Sequence, residues 1–167
     1  MEKKLIAEHM ADGNDFKPGE LVNARLSYMK AVAAYKFQRG ENITDLVQEE
    51  KVLKNAFADA ESLGLKGETV RAFVQTQMDV AKAIQHRYCA DWLTEPDRLQ
   101  APVAIDEVRA KIAQLSFSLL VGIASKLKSG YRFTAAEKAF FMCEIRQEKV
   151  KQKDKERLWN TLKKISY

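Results

Sequence analysis

Seven polar side chains, Arg25, Lys36, Asp45, Gln48, Glu49, Gln85 and Arg109, fall at helical spacings where apolar residues are expected. Arg25 and Lys36 are eleven residues apart. At roughly 100° per residue that is about three helical turns, so the two side chains point the same way. They share a stripe with Leu21, Tyr28, Met29 and Val32, whereas Asn23, Ser27, Lys30 and Gln38 mark the hydrated side. Asp45 and Glu49 project into the sector of Val52, Ala56, Ala60 and Leu63, with Gln48 at its edge. Gln85 falls between the directions of Ala81, Met78 and Trp92, and Arg109 lies among Ile105, Ile112 and Ile123. Each has a plain structural reading: a buried Arg or Asp is commonly half of an ion pair, Asp45 can cap a helix, and Gln85 can be a satisfied core amide. As a set they describe a polar pocket for something acidic, because a buried cation costs several kcal/mol unless an anion answers it.

The residue types suggest what that ligand offers. Two arginines grip two carboxylates through paired N–H bonds, and a lysine donates to a third oxygen. Glu49 can accept from a ligand hydroxyl, and Gln85 can donate to an ether or carbonyl oxygen. No nucleophile with a base appears: the two histidines are His9, in the polar start of the chain, and His86, about a third of a turn away from the pocket direction. No phosphate loop, metal cluster or cofactor motif is present. Cys89 and Cys143 fit no metal spacing, and they either form one disulfide or pack as small apolar groups, the second reading being favoured. An enzyme built this way works by positioning and electrostatics, with no cofactor and no metal.

The elements that must position these groups are helices. Only 7 Gly and 3 Pro, in a 167-residue chain rich in Ala, Lys, Glu and Leu, argue for helix nearly throughout. Residues 1–18 read as a polar lead-in ending at Pro18-Gly19, and 19–167 as a single all-α domain, a bundle of about six helices. The first helix runs from about Glu20 to Arg39 and stops at Gly40; the second starts at Thr44 or Asp45, with Asp45 and Gln48 as a capping pair, and reaches Gly64. A third, opened by Gly67-Glu68, carries Val70, Phe73, Val74, Met78, Ala81, Ile84, Tyr88 and Trp92 and ends at Thr94-Glu95-Pro96. The fourth spans about Ile105 to Lys128, the fifth starts at the capping box of Thr134 and Glu137, and the sixth covers Asp154 to Ile165. The helices from about 105 onward complete the fold.

A net charge of +5 suits an anionic ligand. The basic tail from Lys149 to Lys164 interleaves Glu148, Asp154 and Glu156 without aromatic stacking partners, which reads as a solvated face and not as a nucleic-acid surface. No stretch approaches the ~18 apolar residues of a membrane helix, so no membrane partner is expected.

Arg25-Leu26-x5-Val32-Ala33-Ala34-Tyr35-Lys36, Asp45-x2-Gln48-Glu49-Glu50-Lys51-Val52-Leu53, Gln77-x7-Gln85 and Arg109-x2-Ile112 together resemble the all-α chorismate mutases, above all their exported, periplasmic (gamma) subclass. The resemblance covers residues 20–128 well and the tail only by length and helicity. It implies an isomerase that rearranges chorismate to prephenate, with Arg25 and Arg109 on the substrate's carboxylates. Lys36 and Gln85 would donate to the ether oxygen of the breaking bond, and Asp45 and Glu49 would orient the ring hydroxyl. It also implies a homodimer, and a periplasmic or secreted location with an export signal upstream of about residue 20 that this sequence lacks; a cytoplasmic location is the alternative. Many relatives have an arginine at the position of Gln48 and a Ser or Thr at that of Ala81. An inactive mutase-like domain that binds an anion or a partner is therefore the alternative function, while a purely structural bundle leaves Arg25, Lys36 and Arg109 unexplained.

Overall fold

The protein, as a computed structural model, is described over residues 16–167, so most of the expected lead-in, His9 included, lies outside the described residues. The helices are α1 (Pro18–Leu26), α2 (Met29–Arg39), α3 (Leu46–Ser62), α4 (Gly67–Thr94), α5 (Ile105–Lys128), α6 (Ala135–Glu144) and α7 (Gln152–Leu162), with one 3₁₀ turn at Pro96–Arg98. No strand occurs among the described residues. The fold is all-α, as read from the sequence.

The expected first helix is two segments. Ser27 Oγ donates to the Ala24 carbonyl at 2.5 Å, occupying the acceptor that the Tyr28 N–H would use. The Tyr28 N–H turns instead to the Arg25 carbonyl at 3.3 Å, and such side-chain back-bonding bends a helix without ending it. Ser27 and Tyr28 keep right-handed helical dihedrals, so α1 and α2 form one bent rod. The rod opens at Pro18, two residues before the expected start, with proline in the first turn where its missing N–H costs nothing. It stops at Gly40, whose φ of 65° is the left-handed cap that a side chain resists.

Asp45 caps α3 by accepting the Gln48 N–H at 3.1 Å, and Thr134 caps α6 through the Glu137 N–H at 3.4 Å. The last helix begins at Gln152, ahead of the expected Asp154, because Asp154 is its third residue and reaches back to the Lys151 N–H.

The long α4 is the spine: α2, α3 and α7 pack on it, and α1 packs on α5 and α6. Gly19 is where α1 meets α6, since a Cβ there would stand 2.8 Å from Glu144 Cβ. The core joins Val22, Leu26 and Met29 of the rod to Phe73, Met78 and Ile84 of α4 and to Leu119, Ile123 and Leu127 of α5. Only the second half of α5 is buried, and Ile105, Val108, Ile112 and Leu115 are covered in part. That helix corrects the expectation about membrane spans, being long and apolar enough by length and composition to cross one; half of its most apolar window is buried in the fold. Asn23, expected on the hydrated side, is half-buried and accepts from the Arg146 N–H and from Gln147 Nε2, tying the chain after α6 to α1. Both cysteines are free, Cys89 half-buried near Trp92 and Cys143 exposed, so Cys143 does not pack as an apolar group.

Candidate active site

Arg25 is buried at the end of α1. Its Nε donates to Ser116 Oγ of α5 at 3.2 Å, and Ser116 in turn donates to the Ile112 carbonyl at 2.9 Å. Arg25 Nη1 is buried and has no hydrogen-bond partner among the described residues. Burial pulls this guanidinium well below its ordinary value, to about 10. Four helical residues further along the rod is Met29, whose Sδ accepts Gln85 Nε2 of α4 at 3.6 Å. Gln85 is therefore within a turn of Arg25, on the face that the periodicity assigned to both. Its Oε1, too, is buried without a partner among the described residues.

Lys36, on the same rod, is half-buried and donates from Nζ to the Ile43 carbonyl at 2.8 Å, fastening the loop between α2 and α3. An ammonium has three donors, so two remain. Desolvation lowers its pKa most, and Arg109 lowers it further; Asp45, Glu41 and Glu49 act in the opposite sense without reversing the result. Those influences place Arg109 of α5 and Asp45 and Glu49 of α3 within electrostatic reach of Lys36.

Glu49 is held by one oxygen. Oε1 receives Lys82 Nζ of α4 at 2.6 Å, while Oε2 is buried without a partner among the described residues. Such orphans are uncommon in folded proteins and call for an explanation. Among the described residues four side-chain atoms share this state, and Arg25, Glu49 and Gln85 supply three; Gln77, eight residues before Gln85 on α4, supplies the fourth.

The other predicted residues stand nearer the surface. Arg109 is exposed, its guanidinium carbon 6.0 Å from the centre of the Tyr35 ring, because the first half of α5 is covered only in part. With Lys36, Glu41, Asp45, Leu46 and Val47 it lines a cleft of about 620 Å³. Asp45 is exposed and serves as the cap of α3, and Gln48 is exposed and joins the group only through its backbone N–H on Asp45. Two contributors were missed in the sequence. Ser116 left no signal beyond a polar residue on a mostly apolar helix. Lys82 precedes Gln85 by three residues, a spacing that puts both on one side of α4.

The bundle thus keeps an arginine, a carboxylate and an amide with buried hydrogen-bonding atoms that have no partner among the described residues, and a separate surface cleft lined by Lys36 and Arg109 together with Glu41 and Asp45. Residues 12–86 match the family described as chorismate mutase type II. The chain is 44% identical over 145 residues to a secreted chorismate mutase from Yersinia pestis, covering 87% of this chain and 78% of that protein. It is 36% identical over 144 residues to a monofunctional chorismate mutase from Enterobacter agglomerans, covering 86% and 79%. The crystal structure of the Yersinia pestis secreted protein superposes with a TM-score of 0.83 at 43% identity, over 90% of this chain and 97% of that one. A chorismate mutase from Burkholderia phymatum shares the fold at a TM-score of 0.75 and 20% identity, over 92% and 97% of the two chains. The chain belongs to the chorismate mutase family and is an isomerase of that class.

Proposed function

We propose that this chain converts chorismate to prephenate in a pocket formed by the bent rod of α1 and α2 with α3, α4 and α5, with Arg25, Lys36, Glu49, Gln85 and Arg109 as its working groups. The observation that carries the reading is the trio of buried, unpartnered polar atoms on Arg25, Glu49 and Gln85. A donor, an acceptor and an amide match the carboxylate, hydroxyl and ether oxygen that one molecule of this substrate presents.

The rearrangement breaks a C–O bond as a C–C bond forms, without proton transfer or a covalent intermediate. The substrate must first fold so that the two reacting carbons meet. Arg25 from the interior and Arg109 from the rim hold the carboxylates in that shape, replacing an entropic search by binding. Negative charge then grows on the ether oxygen, and fixed donors there act on the transition state more than on the substrate. Lys36 supplies one donor. Gln85 supplies the other once its amide is turned by half a rotation about the last side-chain bond, which exchanges the ends and puts Nε2 where Oε1 now lies. Asp45 shapes the site indirectly, by capping α3 and keeping Glu49 in its first turn, and Gln48 contributes at the rim.

We infer also that the chain acts outside the cytoplasm and as a homodimer. The similar Yersinia pestis protein is described as secreted, and the half-covered Ile105, Val108 and Ile112 give α5 a surface for a second copy. The activity reading is tested by following chorismate absorbance with purified chain, with and without a chelator. Turnover unaffected by the chelator is expected; a folded sample without turnover overturns the reading in favour of an anion-binding module.

A further inference from the structure

We propose that Lys82 is a positioning residue of this site: it holds Glu49 by one carboxylate oxygen so that the other faces the substrate's ring hydroxyl, and it cancels a negative charge beside a doubly negative substrate. The proposal rests on the chorismate reading above.

The geometry carries it. Glu49 on α3 and Lys82 on α4 are 33 residues apart in sequence and meet at 2.6 Å, both half-buried. A bridge that served the fold alone would satisfy both carboxylate oxygens, since a buried oxygen without a donor costs stability. Here Oε1 is tied and Oε2 is left buried and free. Rotation of the carboxylate is prevented by the same contact that leaves its second oxygen available. The surrounding charges explain why a cation is required at this place. Lys36 of α2 lies within electrostatic range of Glu49, but its hydrogen bond goes to the Ile43 carbonyl, and Glu49 is bonded by Lys82. On α3, Asp45 adds a further negative charge, and Gln48 brings none to offset it. On α4, Asp79 stands 3.9 Å from Lys82 and is itself held by Gln75 Nε2 at 3.0 Å and by Arg157 of α7 at 3.3 Å. Lys82 is thus steered from behind by Asp79 and spends its short contact on Glu49. Without it, a half-buried carboxylate would face a ligand carrying two more.

The test compares kcat/KM of wild type, Lys82→Met, Glu49→Gln and the double variant on chorismate and on its analogue with hydrogen in place of the ring hydroxyl. A charge-assisted hydrogen bond governs roughly a ten- to hundredfold change in kcat/KM, so Lys82→Met is expected to lose about that much on chorismate. It should lose clearly less on the analogue, which keeps the two carboxylates that Lys82 offsets but has no hydroxyl for Oε2 to meet. The double variant should be no worse than the poorer single one, because the two residues act as one unit. Equal losses on both substrates, or losses that multiply, overturn the proposal and leave Lys82 as a structural ion pair. If Lys82→Met does not fold by circular dichroism, Lys82→Gln carries the same comparison with the same two outcomes, its uncharged amide being too short to hold Glu49 at the present distance. Wild type that is folded and inert on chorismate refutes the function reading itself, a result separate from any comparison of variants.

Discussion

Replacing Arg25 by Met should raise the stability of the protein while destroying its activity. The guanidinium is drawn from its ordinary value down to about 10 by burial alone. At roughly 1.4 kcal/mol per tenfold change in acidity, that displacement is about 3 kcal/mol against the charged folded state. Methionine keeps an unbranched apolar stem and removes the charge. It also removes the Nε bond to Ser116, worth about 1 kcal/mol, but Ser116 retains the Ile112 carbonyl and is not stranded. The net gain is about 2 kcal/mol, which for a domain of this size is roughly 4–8 °C in Tm. The sign with pH follows. Below about 10 the buried charge subtracts its full cost, and the cost is relieved as pH rises from there toward the ordinary arginine value. The Tm gap between Arg25→Met and wild type should therefore be constant from about pH 6 to 9 and close above it. Calorimetry or near-ultraviolet melting measures the gap, and the chorismate assay should show a loss of about a hundred- to a thousandfold in kcat/KM. A lower Tm in Arg25→Met would refute the argument, because it would mean that Arg25 is already compensated and belongs to the scaffold.

Lys36→Ala should lower kcat by about a hundred- to a thousandfold, with a smaller change in KM, since its contact matters most in the transition state; steady-state kinetics showing the loss only in KM would remove it from the breaking bond. Wild-type kcat/KM should be nearly level from about pH 5.5 to 8.5 and fall on the alkaline side before 10.5, because Lys36 acts as the protonated donor and burial and Arg109 lower its pKa. Gln85→Glu should keep activity in acid and lose it as pH rises, a glutamate donating only while protonated; a pH profile like that of wild type would return Gln85 to a packing role. Gly40→Ala should cost about 1 kcal/mol through its left-handed backbone alone, as nothing lies within 4 Å of an added Cβ, and thermal melting that showed no loss would remove Gly40 from the cap that ends α2.

The parts of the fold that the sequence made legible are those where two local signals agree. Periodicity and capping chemistry coincide at Asp45, Thr134 and Gly40, and there the observed ends match the expected ones. The break at Ser27 and Tyr28 was not legible, because the backbone stays helical and the cause is one hydroxyl choosing the Ala24 carbonyl. The site divides along the same line. Arg25 and Gln85 stood out because a polar group in an apolar stripe is a visible conflict, and both are buried. Arg109 shows the limit of that argument: periodicity tells which way a side chain points, not how fully another element covers it, and the first half of α5 is covered only in part. Lys82 escaped notice because a lysine among charged and amide neighbours reads as a solvated position until a carboxylate from another helix is placed against it.

The two arginines are unequal in a way that suits a small dianion. Arg25 has already been stripped of water by the fold, so its desolvation precedes the ligand, and on the proposed reading binding would offset it by supplying a carboxylate. Arg109 keeps its water at the mouth of the cleft, beside Lys36, and loses part of it only on binding. Exposed charge acts at a distance and is screened by salt, whereas buried charge is screened little. On the proposed reading Arg109 and Lys36 would therefore govern capture, with a rate that falls as ionic strength rises, and Arg25 would govern the fit once the ligand is inside. A site with both arginines exposed would bind many dicarboxylates weakly, and one with both buried would pay the desolvation cost twice in the unliganded fold. One of each halves that cost and still leaves a buried donor, Arg25 Nη1, without a partner among the described residues, which on the proposed reading a carboxylate of the substrate would take.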